Sequence, residues 1–244
     1  MRTISNSAFY HSEAHGRLQD YHLGKTLKAE NLGITLLQFF DWEIFYKKEI
    51  IIDKINHLLG LNKRVGARTL TISEISKHDA FEFYDNNHLQ GGCYATYNIA
   101  LKDNDQNILA AMSFRKGEYN YKLLRFSCTK GIAVSGAASR LLTYFKKKYC
   151  KSGDKIISYC NRRWGNGNVY TKVGFIKSHE VEPGYYYIYK NGEYAGTRYQ
   201  FQKHLLPAKL KIFDQNLSEF ENMKANGYTR IWDCGQIAYE LVVH

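Results

Sequence analysis

At 244 residues the chain is longer than the roughly 100–150 residues of a usual single domain, so two domains or one domain with an appendage are expected. Hydrophobic residues make up 44% of it and there are two prolines, which excludes a disordered or collagen-like chain. No run approaches the ~18 apolar residues of a membrane span and no signal-peptide core opens the chain, so a cytoplasmic protein with no membrane partner is expected. The net charge of +11 is uneven: residues 81–190 hold 17 basic and 8 acidic side chains, against 11 and 9 before them and 6 and 6 after. A basic middle suits a polyanion partner, or simply a soluble basic face. Cys93, Cys128, Cys150, Cys160 and Cys234 show neither paired nor CxxC spacing and read as reduced thiols.

In chain order, the periodicity predicts a helix over Arg17–Leu32 closed by Gly33, a strand over Ile34–Phe40 and a helix over Glu43–Leu59 closed by Gly60. One strand with two helices cannot bury itself, so a missing upstream piece is expected. After the basic stretch Lys63–Arg68 come a strand near Thr69–Ile75 and a helix over Lys77–Asn87. Strands over Ala95–Leu101 and Ile108–Phe114 form a hairpin, followed by one over Lys122–Cys128. Gly136–Tyr149 reads as a helix with Leu141, Leu142 and Phe145 on one face and Lys146, Lys147 and Lys148 at its C-terminus. A strand at Lys155–Tyr159, a helix at Gly167–Lys172 and a strand at Tyr185–Tyr189 are expected to close the unit. The tail carries the basic-aromatic run RYQFQKHLL, a capping box at Ser218 and Glu221, and a strand over Thr229–Trp232.

His11, His15 and His22 beside Glu13, Asp20 and Lys25 could hold a metal or move protons, or could be polar residues scattered on an exposed helix. Spacing leaves this open and names no metal ligand. The run from Phe9 to Glu43 resembles the second half of the nuclease domain of phage homing endonucleases related to the very short patch repair nucleases. The matching positions are Phe9 to Glu13, Tyr21, His22, Lys25, Gly33 and Asp41 to Glu43. The resemblance implies catalytic roles for His11, His22, Lys25 and Glu13 in Mg²⁺-dependent phosphodiester cleavage. It also implies upstream metal-binding acids that the chain lacks, Ile4 and Ser5 standing where one is expected, so cleavage is expected to be impaired unless a partner chain supplies the missing half.

Residues 68–190 resemble the GCN5-related N-acetyltransferase (GNAT) fold, through Val134, Ser135, Gly136, Ala137 and Ala138 entering a helix and through Val169 to Phe175. That resemblance implies acetyl-CoA as cofactor, held on the backbone amides of 134–138, and Tyr170 as the acid that protonates the departing thiolate. Ala133 departs from the family's Arg or Gln. Arg162, Arg163 and Trp164 sit in a Gly-interrupted loop suited to phosphate and base, and with Lys146, Lys147, Lys148, Arg198 and Lys203 they form the expected DNA-binding set.

The expected fold is therefore mixed α/β. A truncated restriction-endonuclease-like segment (1–62) precedes a GNAT-like domain (63–190) and a basic-aromatic extension (191–244). This arrangement resembles the Hef-like homing endonucleases of phages, which implies a DNA-binding protein of the host cytoplasm. The alternatives are an acyl-CoA-dependent N-acyltransferase and an interaction protein with neither chemistry.

Overall fold

A computed structural model describes residues 2–117 and 120–244; the side chains of residues 2–6, Ile4 and Ser5 among them, lie outside that description. The first elements are β1 (Arg2–Asn6), α1 (Tyr21–Asn31), β2 (Leu36–Phe40) and α2 (Asp41–Leu58), which is broken by non-helical backbone at Lys47. Next come β3 (Lys63–Gly66), β4 (Thr71–Glu74), α3 (Lys77–Asn87), β5 (Tyr97–Lys102), β6 (Ile108–Lys116) and β7 (Asn120–Cys128). They are followed by β8 (Ile132–Ser135), α4 (Ala137–Tyr149), β9 (Lys155–Asn161), α5 (Asn168–Lys172) and β10 (Ile176–Val181). The chain ends with β11 (Tyr185–Tyr189), β12 (Tyr194–Thr197), α6 (Glu219–Ala225), β13 (Tyr228–Trp232) and β14 (Gln236–Val242).

These elements form two compact units. One is built from Met1–Tyr46, Asn161–Asn166 and Glu180–Gln236, the other from Lys47–Cys160, Gly167–His179 and Ile237–His244. The division crosses the boundaries read from the sequence at 62 and 190.

The larger unit is organised by a seven-stranded sheet in the order β10-β14-β9-β7-β6-β5-β4. Strands β4 to β7 pair antiparallel and β7 pairs with β9 in parallel. Alternation along β5 and β6 sends Ile99, Leu101, Met112 and Phe114 to one core and Ala100 and Ala111 to another. Leu141, Leu142 and Phe145 of α4 fill the first, where Phe145 stacks on Phe114 with ring centroids 3.5 Å apart. Ala80, Phe83 and Tyr84 of α3 fill the second, so helices cover both faces.

The expected closing strand is corrected. Tyr185–Tyr189 belongs to a three-stranded antiparallel sheet, β12-β11-β13, and Gln236–Val242 completes the seven-stranded one. Residues 182–235 are thus an insertion between β10 and β14. They join the N-terminal segment, where β1 and β2 pair in parallel, around a core of Ala8, Phe40, Ile188 and Ile231. This answers the difficulty of a lone strand with two helices: β1 pairs with β2, and Phe40 is buried by Ile188 and Ile231, far downstream in the chain. Among the described residues no helix is long and apolar enough to cross a membrane.

Candidate active site at the fork of the mixed sheet

Strands β7 and β9 pair over Asn120↔Lys155, Tyr121↔Ile156 and Lys122↔Ile157, and the pairing stops there although both strands continue. The sheet therefore forks. At the same level the β6–β7 register steps from Ser113↔Arg125 to Phe114↔Leu123, leaving Leu124 as an extra residue on β7. Such a bulge takes a residue out of the ladder and re-aims the backbone beside it. The Arg125 guanidinium holds the Leu124 carbonyl at 2.9 Å and the Gly91 carbonyl at 3.2 Å.

Tyr170 lies at the root of the fork. The Ser158 hydroxyl of β9 donates to the Leu123 carbonyl at 3.1 Å and lies 3.1 Å from the Tyr170 hydroxyl, which is 3.4 Å from the Tyr159 carbonyl. Burial pushes the Tyr170 phenol up to about 12, so it is protonated across the physiological range. Its ring stacks on Tyr239 of β14 at 4.9 Å. Gly167, the left-handed N-cap of α5 (φ 80°), makes this placement possible, because a Cβ there would collide with the Tyr239 ring.

At the far end of β7, β8 leads into α4 through Gly136, which is left-handed (φ 81°) and gives the helix no side-chain cap. Val134 and Ser135 are part of β8, which pairs in parallel with β3 as Val65↔Val134 and Gly66↔Ser135. The Val134 N–H also donates to the Cys128 thiol. The helix start proper is Gly136, Ala137 and Ala138, with Gly136 and Ser139 exposed. Arg140 donates to the Ala67 and Leu70 carbonyls and ties the segment after β3 to this helix start.

His88, at the end of α3, was not singled out in the sequence. Its Nδ1 accepts from the Gln90 N–H at 3.2 Å, which puts the ring proton on Nε2, and burial pushes its pKa down to about 3. Ser158 and Arg125 were also missed, because nothing in a strand sequence marks where it leaves its neighbour.

The histidine cluster lies in the smaller unit and has a different character. His22 is fully buried, donates from Nδ1 to the Trp232 carbonyl at 2.6 Å and accepts at Nε2 from His11 Nδ1 at 3.1 Å. Burial lowers both, His22 to about 4. The Glu13 carboxylate is taken by Arg230 at 2.8 and 2.9 Å and by the Trp232 indole at 2.9 Å. Glu43 pairs with Arg163, Asp41 accepts from the Ala8 and Trp42 amides, and Lys25 lies over the Tyr21 ring. Among the described residues no group of three or more His, Cys, Asp or Glu could hold a metal.

The loop expected to meet phosphate is corrected too. Arg162 and Arg163 are 5% and 1% exposed: Arg162 bridges Glu30 and Glu180, and Arg163 forms a two-pronged pair with Glu43 at 2.7 and 2.8 Å. Trp164 packs edge-on against Phe39. Lys148 is held by Glu74 and Lys203 donates to the Gln215 carbonyl, whereas Lys147 and Arg198 are exposed and Lys146 is partly so.

The chain matches no family model and no curated protein. It is similar to solved acetyltransferases. One is the ribosomal-protein-S18-alanine N-acetyltransferase of Escherichia coli, 11% identical over 71% of this chain and 94% of that one, with a TM-score of 0.39. Another is a GNAT-family acetyltransferase of Bacillus cereus, 13% identical over 72% and 98%, with a TM-score of 0.39. A third, a GNAT-family N-acetyltransferase of Escherichia coli solved with CoA, is 10% identical over 44% and 69%, with a TM-score of 0.33. The sheet, forked between parallel strands and covered by helices on both faces, is the mixed α/β architecture expected from the sequence. The expectation of a homing endonuclease is corrected: the acids beside His11 and His22 are spent on Arg163, Arg230 and backbone amides, and no metal-holding group is found among the described residues. Mg²⁺ loses its support with it.

Proposed function

We propose that the forked sheet is the active site of an acyl-CoA-dependent N-acyltransferase. The observation that carries this reading is the fork itself: β7 and β9 part beside the Leu124 bulge, with the Tyr170 hydroxyl at the root. The residues at the start of α4 fit a pyrophosphate, since the Gly136–Ser139 amides lie at a helix N-terminus without a side-chain cap and the helix dipole favours an anion there. The pairing of β3 with β8 narrows that cradle to the helix start rather than all of 134–138.

Acyl-CoA would supply an activated thioester: the amine nitrogen bonds the acyl carbon as the C–S bond breaks, and the proton lost by the amine balances the one taken up by the departing CoA thiolate. The Gly136–Ser139 amides would hold its phosphates, and the strand edges left open at the fork would receive its extended arm as a sheet edge receives a peptide. The Leu124 N–H, set outside the β6–β7 register by the bulge, would be the backbone group to donate to the acyl oxygen. Tyr170, with its proton firmly held, donates a hydrogen bond to the sulfur as negative charge grows there. A phenol near 12 facing a thiol of about 8.5 stabilises this charge without surrendering the proton outright.

Calorimetric titration with acetyl-CoA tests the reading. Saturable binding that Gly136→Glu abolishes is expected, because a carboxylate at the cradle repels phosphate; no binding to the folded wild-type protein overturns it.

A further inference from the structure

On the β6–β7 pair Arg115 stands opposite Lys122, and Ser113 stands opposite Arg125. Positions 113 and 115 of a strand point the same way, and Ser113 bonds Tyr84 of α3, so Arg115, Lys122 and Arg125 lie together on the α3 side of the sheet. Lys122↔Ile157 is also the last pair before β7 and β9 part. The Lys122 amine is 4.5 Å from the centre of the Tyr159 ring, and the Tyr159 carbonyl is 3.4 Å from the Tyr170 hydroxyl. Three cations therefore edge the fork on the face opposite α4.

Their charge is not spent inside the protein. Arg125 uses Nε and Nη1 on the Gly91 and Leu124 carbonyls, and Arg115 uses Nη2 on the Tyr94 carbonyl. Arg125 Nη2 has no hydrogen-bond partner and, unlike Arg162 Nε and Arg163 Nε, is not sealed from solvent. Lys122 is exposed, and its contact is with a ring rather than an acceptor. Arg162, Arg163 and Arg230 each have a carboxylate, whereas among the described residues none pairs with Arg115, Lys122 or Arg125. Burial, and then Arg115 and Arg125, lower the Lys122 pKa. A surface lined by one sign of charge against low-dielectric walls gathers ligands of the other sign and repels its own.

Resting on the acyltransferase reading, we infer that the amine acylated at the fork carries an anionic group, carboxylate or phosphate, held by Arg125 Nη2 and Lys122. Arg115 adds to the attracting field. With the anion on the α3 side, the amine end of the same molecule reaches the gap where β7 and β9 part. Polyamines, cationic at their far end, are repelled by the same three side chains.

Acetyl transfer followed by thiol release tests this with matched acceptors: ω-amino acids of two to six carbons, their primary amides, diamines of equal length, and phosphoethanolamine against ethanolamine. The best anionic acceptor should exceed its neutral counterpart about tenfold in kcat/KM, the worth of one charge-assisted hydrogen bond, with the diamine slowest. Whichever acid leads, carboxylate or phosphate, names the anion. Calorimetry with the same probes on the full chain gives the ranking where turnover is slow. Lys122→Glu, on an exposed side chain without a hydrogen bond, should reverse the order of acid and diamine while the thermal midpoint holds. Equal values for acid and neutral counterpart, a diamine preferred by the wild-type protein, an order unmoved by Lys122→Glu, or no binding of any anionic probe overturns the inference. Saturable acetyl-CoA binding alongside any of these results sinks the anionic acceptor alone, whereas no acetyl-CoA binding sinks the acyltransferase reading beneath it.

Discussion

The two units spend their polar groups in opposite ways. In the smaller one His22, Gln38, Arg163, Glu43, Glu13 and Arg230 bond one another or nearby carbonyls, and the polar groups are part of the core. In the larger one the core beneath α4 is a continuous apolar cluster; Tyr84, Ser113 and Asn98 bond one another on the α3 side, and Ser158, Tyr170 and Arg125 lie where the strands part. The lesson is that residue type alone does not announce chemistry. A histidine or arginine held by carboxylates and carbonyls within a core is a structural group, while a tyrosine at a break in a hydrogen-bond ladder has a proton to offer.

The sharpest way to break this comparison is to remove one member of each core. Arg163→Ala leaves the largely buried Glu43 carboxylate without its cation, with the Phe40 N–H still donating to it, and should cost about 3–5 kcal/mol in denaturant unfolding. Phe145→Ala should cost a similar ~3–5 kcal/mol, but by leaving a cavity against Phe114. Replacing Arg163 and Glu43 together by apolar residues should recover much of the first loss. If the double replacement is as damaging as the single one, the pair does more than compensate itself.

A second contrast is in pH. His22 in one unit and His88 in the other both have folded pKa values below the ordinary histidine value, about 4 and about 3. The unfolded chain therefore takes up protons first as pH falls. Stability should hold above about pH 6.5 and decline from there toward pH 4.5, each histidine contributing about 2–3 kcal/mol. His22→Gln and His88→Gln should each flatten part of that slope, measured by urea unfolding at several pH values. A slope unchanged in both variants would assign it to other groups.

Tyr170→Phe tests the fork by rate. The hydroxyl is lost while the ring stacked on Tyr239 is kept, so acetyl-CoA affinity should stay level while acyl transfer, followed by thiol release, falls about 10²-fold. An unchanged rate would reduce Tyr170 to a packing residue.

How much of this was legible in the sequence follows the same divide. The helix over Lys77–Asn87 and the strand over Tyr185–Tyr189 were read to the residue, because capping at Ser76 and runs of β-formers are local signals. Strand β10 was missed because its residues are largely exposed and show no apolar alternation. Strand β14 was missed although Ile237, Ala238, Tyr239 and Leu241 are buried, since a strand that returns after fifty inserted residues looks like a tail. The positive charge of Arg162 and Arg163 was visible, but their carboxylate partners Glu30, Glu43 and Glu180 lie far away in sequence. Spacing therefore could not distinguish a phosphate loop from a buried ion pair. Gly136 and Tyr170 were found through resemblance; the fork that gives them meaning is a property of pairing.

The smallest expected effect compares the two capped helices. Ser218 and Glu221 cap α6 reciprocally, while Ser76 caps α3 with one bond, to the Asp79 N–H at 3.0 Å. Each serine replaced by alanine should cost about 1 kcal/mol. The loss should be larger at Ser218, because α6 has seven residues against eleven in α3 and fewer other bonds to sustain it. Asn222 opposes this expectation: its amide donates to the Asp214, Leu217 and Ser218 carbonyls and pins the start of the helix from inside. If Ser218→Ala proves nearly silent until Asn222→Ala is added, the N-terminus of α6 is held by the buried amide. The smaller unit would then rely on internal polar bonds even for a surface helix, as its core does.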